Sequence, residues 1–237
     1  MKNILSILLS VICFHCIGYP IRSALGAKRE IPEEKHNLPY DSEVEYLESD
    51  GGQYISGWYT YTGLENSISI YSDFMVLQNS VSMQNFILAV DNWKTVNAYN
   101  YNPRLCTYGN TIRLTCDVNG WVNSGLSVPL NTRSIISVTY SIPDVMIASL
   151  NDGIDKKFNR TIYFVEGADG SLFGPGRENG RYRLIGRIYR FFFYIDGESI
   201  CDFIPVRKDG VGYMYDRVSG MLFGNSGTGD FIIGPDK

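Results

Sequence analysis

Histidine is nearly missing from this 237-residue chain: the two copies are His15, inside an apolar leader, and His36, in the polar stretch that follows it. From Asp41 onward there is none. That excludes Ser-His-Asp and Cys-His catalysis from this part of the chain, together with any metal site built on imidazole. Also lacking is a Gly-rich loop between a strand and a helix, the arrangement that cradles phosphate. No CxxC pair occurs, so neither a zinc ribbon nor a thioredoxin-type site is indicated. No stretch sustains a 3.6-residue apolar period, so the sequence predicts at most a helical turn or two. Internal repeats and low-complexity tracts are absent as well.

Long apolar runs are equally scarce. The longest, Ile4 to Ile17, is short for a membrane span. It follows a basic Met1-Lys2 start and leads to Ala24-Leu25-Gly26, with small residues at −3 and −1 of a cleavage point after Gly26. This pattern predicts a secretory signal peptide over residues 1–26. Neither Cys13 nor Cys16 is preceded by the small residues of a lipobox. Export to a periplasm, cell surface or extracellular space is therefore expected, with no membrane insertion after cleavage. Residues 27–40, polar and holding Pro32 and Pro39, read as a flexible tether, and 41–237 as one domain long enough to bury a real core. Lys2 and Arg22 are the only charges before Ala27, which leaves 19 basic against 25 acidic residues, a net charge of −6. An acidic balance without a basic block argues against a nucleic-acid partner.

What the chain has in quantity is short alternating runs separated by turn residues. Gly186 to Gly234 reads as strand, tight turn, strand, repeated. Tyr189, Phe191, Phe193 and Ile195 fall on one face at period two, Asp196-Gly197 turns, and Ile200 to Val206 returns. Pro205, lacking a ladder donor, suggests an edge or terminating position. Asp209-Gly210, Ser219-Gly220 and Gly227-Thr228-Gly229 punctuate three further runs. Upstream, strands are predicted at Glu43–Glu48, Gln53–Tyr61, Asn66–Leu77, Asn85–Val90, Arg133–Tyr140, Asp144–Leu150 and Arg160–Val165. Ile68, Ile70, Phe74 and Val76 share one face of the Asn66–Leu77 run. A hairpin over Arg104–Asp117 folds near Gly109-Asn110. Gly167–Gly180, with five glycines and a proline, reads as a long loop. Many short strands with Gly, Asn and Asp turns predict an all-β, antiparallel two-sheet sandwich or jelly roll.

The opening VEYLESDGGQYISGW (Val44–Trp58) and the closing GRIYRFFFYIDGESICDFIPVRKDGVGYMYDRVSGMLFGNSGTGDFIIGPD (Gly186–Asp236) together resemble bacterial LamG-like, concanavalin A-like jelly-roll domains. Such domains occur in surface and secreted proteins of gut bacteria and in phage tail-associated proteins. The resemblance runs through the two ends of Glu43–Asp236; the middle is similar only in pattern. It implies a two-sheet jelly roll whose face or loop rim commonly binds glycan, which is an analogy of fold rather than of site. Some glycosidases of similar fold carry E-x-D-x-x-E on one strand. Glu43, Glu45 and Glu48 have that spacing, but the middle residue is Glu, and Glu48 falls on the opposite face unless a bulge intervenes. A solvated edge strand is the preferred reading of these carboxylates over a nucleophile and acid pair.

Three Trp and seventeen Tyr exceed what a sandwich core requires. Sugars stack their C–H faces on aromatic rings while Asn, Asp and Arg fix hydroxyls. Trp58, Tyr59 and Tyr61 at a strand end, and Trp93, Tyr99, Tyr101 and Asn102 near loops, have this composition, although core packing competes for each ring. Calcium held by loop carbonyls and Asp or Asn is compatible with such folds; no D-x-D-x-D cluster appears, and no ligands are assigned. Cleavage would leave Cys106, Cys116 and Cys201. A hairpin folded near residue 111 sets Cys106 opposite Cys116 for a disulfide, against the alternative of three buried thiols. The expected partner is a glycan or surface polysaccharide bound by a non-catalytic adhesion module. A protein partner in an envelope assembly and a glycosidase using Glu43 and Glu45 are the competing readings.

Overall fold

A computed structural model describes residues 38–79, 84–91, 103–115, 120–162, 164, 166–175 and 182–237. Among them there is no helix. The strands are β1 (Ser42–Glu43), β2 (Leu47–Asp50), β3 (Ile55–Thr60), β4 (Ser67–Val76), β5 (Gln84–Asp91), β6 (Arg104–Tyr108), β7 (Thr111–Thr115), β8 (Val122–Ser127) and β9 (Arg133–Ser141), followed by β10 (Val145–Leu150), β11 (Lys156–Asn159), β12 (Asp169–Leu172), β13 (Ile185–Ile195), β14 (Glu198–Lys208), β15 (Val211–Asp216), β16 (Leu222–Phe223) and β17 (Ile232–Ile233). They form two antiparallel sheets. The larger runs β11-β10-β9-β4-β13-β14-β15-β16, with β2 on the first half of β13, β17 on β2 and β1 on β14; the smaller runs β3-β12-β5-β6-β7-β8. The predicted all-β sandwich is what the chain forms.

Alternation decides which side chains enter the space between the sheets. On β4, Ile68, Ile70, Phe74 and Val76 are buried, as the sequence predicts; on β9, Ile136, Val138 and Tyr140 are. From the smaller sheet Ile87, Val90, Leu105, Ile112, Leu114 and Leu172 join the same cluster, and from β13 and β14 come Phe191, Phe193 and Phe203. Fully burying one such side chain contributes roughly 1.5–3 kcal/mol. A buried Tyr140 hydroxyl donates to the Arg104 carbonyl at 3.2 Å and so ties β9 to β6 across the sandwich. The predicted turns are also present. Asp196 and Gly197 both have positive φ (51° and 85°), as do Asp209 and Gly210 (51° and 79°), the requirement of a two-residue hairpin turn that matches strand twist.

Several local expectations are corrected. Residues Arg160, Thr161 and Ile162 are not strand; the strand here is β11, which ends at Asn159. The glycine-rich Gly167–Gly180 segment is not all loop, because it contains β12, paired with both β3 and β5. The reason is Gly170, where a Cβ would lie 2.6 Å from Trp58 Cζ2: the missing side chain makes room for an indole, not for flexibility. Pro205 stands mid-strand in β14, opposite Met214 of β15. Its carbonyl accepts from Val44 N at 3.0 Å. A residue's N–H and C=O point to the same side of a strand, so the donor that proline lacks faces the side where β13 has already stopped pairing at Phe203.

Candidate ligand-binding face

β13 does not keep simple alternation. Its pairing with β4 shifts register between Ile188 and Arg190, so that one extra residue is accommodated. Ile188, Phe191 and Phe193 enter the core, while Tyr189, expected on the face of Phe191 and Phe193, lies against Arg133 and Tyr46 on the other side of the sheet. The outer face of the larger sheet thus carries Arg187, Tyr189, Arg190, Phe192 and Tyr194 along one strand.

Register places their neighbours. Phe192 lies between Tyr71 of β4 and Asp202 of β14, Tyr194 beside Ser69, Arg190 beside Asp73, and Arg187 between Met75 and Glu48 of β2. The rings touch in sequence: Tyr71 meets Phe192 edge-on at 5.3 Å, Phe192 and Tyr194 lie 6.3 Å apart with planes 19° from parallel, and Tyr46 meets Tyr189 at 5.5 Å. Three of these rings, half-exposed Phe192 and Tyr46 and buried Tyr189, carry a guanidinium. Arg190 sits 4.2 Å from the Phe192 centroid, Arg133 4.1 Å from that of Tyr189, and Arg187 4.1 Å from that of Tyr46.

The arginines are oriented by carboxylates beneath them. Arg133 Nε and Nη2 donate to the two Asp73 oxygens at 2.8 and 2.6 Å. Arg190 Nε and Nη2 donate to the two Asp202 oxygens at 3.2 and 3.1 Å. Arg187 Nε donates to Glu48 Oε2 at 2.6 Å. In all three pairs the carboxylate is the more hidden partner, most clearly for Asp73 at 9% side-chain exposure against 56% for Arg133. The two bidentate pairs, Arg133–Asp73 and Arg190–Asp202, fix the fork geometry of the guanidinium. Donation to Asp73 is the main reason that Arg133 is held still more firmly protonated than usual. Burial, reinforced by Asp73, raises the Tyr71 phenol and keeps it neutral. The face therefore offers rings and N–H donors whose positions are set before any ligand arrives.

No protein-family model matches the chain. No curated protein does either. Among solved structures it is similar to a heptameric SAP-like pentraxin from Limulus polyphemus, at 11% identity over 83% of this chain and 96% of that one, with a TM-score of 0.51. It is also similar to a putative carbohydrate binding protein from Bacteroides ovatus, at 11% identity over 83% of this chain and 61% of that one, with a TM-score of 0.56. At this identity the likeness shows a fold: the lectin-like jelly roll that the end motifs implied. The narrower link to gut-bacterial surface proteins and phage tails has no sequence match behind it.

The aromatic residues singled out from sequence take other places. Tyr61 is 1% exposed and lies in the core, so it offers no ring face to a ligand. Trp58 packs edge-on against Phe191, Phe193 and Phe203 at 5.1–5.8 Å, filling the space between the sheets. Tyr59 packs on the same core and donates its hydroxyl to Glu65 Oε1 at 2.9 Å. Trp93, Tyr99, Tyr101 and Asn102 lie outside the described residues. Nor do the three glutamates lie on one strand. β1 ends at Glu43, Glu45 sits in a bend, β2 begins at Leu47, and Glu48 is committed to Arg187. Among the described residues no group of three or more His, Cys, Asp or Glu side chains is placed to hold a metal ion.

Cys106 is a free, buried thiol. The β6–β7 hairpin closes at Gly109-Asn110 as predicted, but its register sets Arg113 opposite Cys106 and Arg104 opposite Thr115. The expected juxtaposition with Cys116 needs a shift of three residues; Cys116 itself lies outside the described residues. Cys201 is likewise free and buried.

The sequence did hold a signal for the outer face. In RIYRFFFYI (Arg187–Ile195) aromatic residues occupy consecutive positions, so whichever face enters the core, rings remain for the other. The partners Tyr71 and Asp73 of β4, and Tyr46 just before β2, lie far away in sequence and carried no such mark.

Proposed function

We propose that the protein is a non-catalytic binding module that holds carbohydrate on the outer face of its larger sheet. The observation that carries this reading is the strip of half-exposed rings, Tyr71, Phe192 and Tyr194, flanked by guanidinium groups locked on sunken carboxylates. Stacked rings supply the apolar face that a pyranose needs, and fixed N–H donors supply orientation. The likeness in fold to a protein described as a putative carbohydrate binding protein supports the reading. So does the apolar leader, which would deliver the domain outside the cytoplasm, where surface polysaccharide is met.

The test is a glycan array probed with the chain and with Phe192→Ala. Removing the ring should weaken retention on the best ligands by about tenfold, the order of one lost aromatic contact. Its melting temperature should stay close to that of the parent, because Phe192 lies on the outer face. An array blank for the parent, or a Phe192→Ala chain that binds unchanged, overturns the assignment.

A further inference from the structure

Resting on that reading, we infer that the ligand is an extended glycan chain laid side-on along β13 and gripped at several successive sugar units, rather than a terminal sugar captured by its end. The binding groups form a line. Arg187, Arg190, Phe192 and Tyr194 project from one strand, with Tyr189 buried beneath Arg133, and at a rise of about 3.3 Å per residue the distance from Arg187 to Tyr194 is roughly 20 Å. That is several times the width of one pyranose ring.

The line also has a repeating chemistry. At one end Tyr46 and Tyr189 carry Arg187 and Arg133; further along, Phe192 carries Arg190 and adjoins Tyr71 and Tyr194. Phe192 and Tyr194 keep nearly the same ring orientation, 19° apart, as two consecutive stacking positions would require. The guanidinium groups add fixed donors beside the tyrosine hydroxyls, which both donate and accept. Both oxygens of Asp73 and both of Asp202 are consumed by Nε and Nη2 of their arginines, leaving Nη1 of Arg133 and of Arg190 outside the pairs. Donors recurring beside rings suit a polymer that offers ring and hydroxyl oxygens at every unit. The anomeric end of one sugar is not needed for such recognition.

The experiment is calorimetric titration of the full chain with ladders of one to six units of cello-, xylo-, chito- and malto-oligosaccharides, alongside the parent polysaccharides. Tyr46→Ala and Tyr194→Ala, at the two ends of the strip, are measured in parallel. For the ladder that binds, the monosaccharide should give no heat, and affinity should climb about tenfold or more from disaccharide to hexasaccharide. Each end variant should lose about tenfold toward the hexasaccharide and little toward the disaccharide. Should a variant fold poorly, competition of the hexasaccharide against polymer on the unmodified chain reads the same length dependence. A monosaccharide that binds as tightly as the hexasaccharide overturns the extended-chain inference and leaves the carbohydrate reading standing. Heat from no oligosaccharide and no polymer overturns both.

Discussion

Asp216 offers a stringent check on how the closing meander is held together. It is 3% exposed at the end of β15, and its carboxylate accepts from four donors. Oδ1 takes Asp202 N at 2.9 Å and Val218 N at 3.1 Å; Oδ2 takes Ser219 N at 3.1 Å and Ser219 Oγ at 2.6 Å. Asp216→Ala removes all four acceptor contacts. Val218 and Ser219 are exposed and can turn to water, so their loss is partly recovered. Asp202 N, half-buried between strands, is less easily rehydrated. Hydrogen bonds to a charged group contribute about 1.5–3 kcal/mol each when they cannot be replaced. With one bond of that kind lost and three partly recovered, the expected destabilisation is about 2–4 kcal/mol. Asp216→Asn should lie close to it, since an amide keeps one acceptor oxygen but turns its N–H₂ toward two donors. Urea unfolding followed by tryptophan fluorescence reads the shift in midpoint, with Asp209→Asn as an exposed control expected to change by less than about 0.5 kcal/mol. Because Asp202 also holds Arg190, glycan retention should fall in Asp216→Ala even under conditions where the chain is fully folded. An unchanged urea midpoint for Asp216→Ala would refute the claim that this carboxylate organises the turn.

Three further outcomes are expected. Gly170→Ala places a methyl 2.6–2.8 Å from the Trp58 indole and should destabilise by about 1–3 kcal/mol with a shifted tryptophan emission; an unchanged midpoint and spectrum would show that β12 does not pack as described. Burial pushes the thiols of Cys106 and Cys201 well above the ordinary range, so neither should react with iodoacetamide in the folded chain, and both should react on unfolding without reductant; a Cys106 that stays blocked then would mean a disulfide after all. For Glu65, burial alone would raise the carboxyl, but bonds from Thr62 N, the Tyr59 hydroxyl and Thr62 Oγ1 outweigh it and leave it lowered. A lowered folded value gives stability that is complete above the ordinary glutamate range, near 4.5, and lost as the pH falls through the folded value; urea midpoints measured on the acid side should therefore fall less steeply in Glu65→Gln, and equal slopes would contradict the assignment.

Local features were legible along the chain. Alternation along Asn66–Leu77 marked a strand with its correct buried face, and Arg133–Tyr140 a strand, because a pleated backbone sends successive side chains to opposite sides whatever it pairs with. Asp196-Gly197, Asp209-Gly210 and Gly109-Asn110 gave turns, because positive φ is tolerated by few residues and those dipeptides contain them. From these alone the all-β sandwich followed. The tertiary structure decided everything that depends on a partner far along the chain. A one-residue shift opposite β4 sent Tyr189 outward, and a period-two reading has no means of registering a bulge in advance. Gly170 looked like loop chemistry until Trp58, more than a hundred residues earlier, was seen to fill the space beside it. A hairpin centred one and a half residues from the expected midpoint put Arg113, not Cys116, beside Cys106. The candidate face is the clearest case. Arg187 and Glu48 are separated by 139 residues and Arg133 and Asp73 by 60, so their pairing exists only because strand order and register bring β2, β4, β9 and β13 side by side.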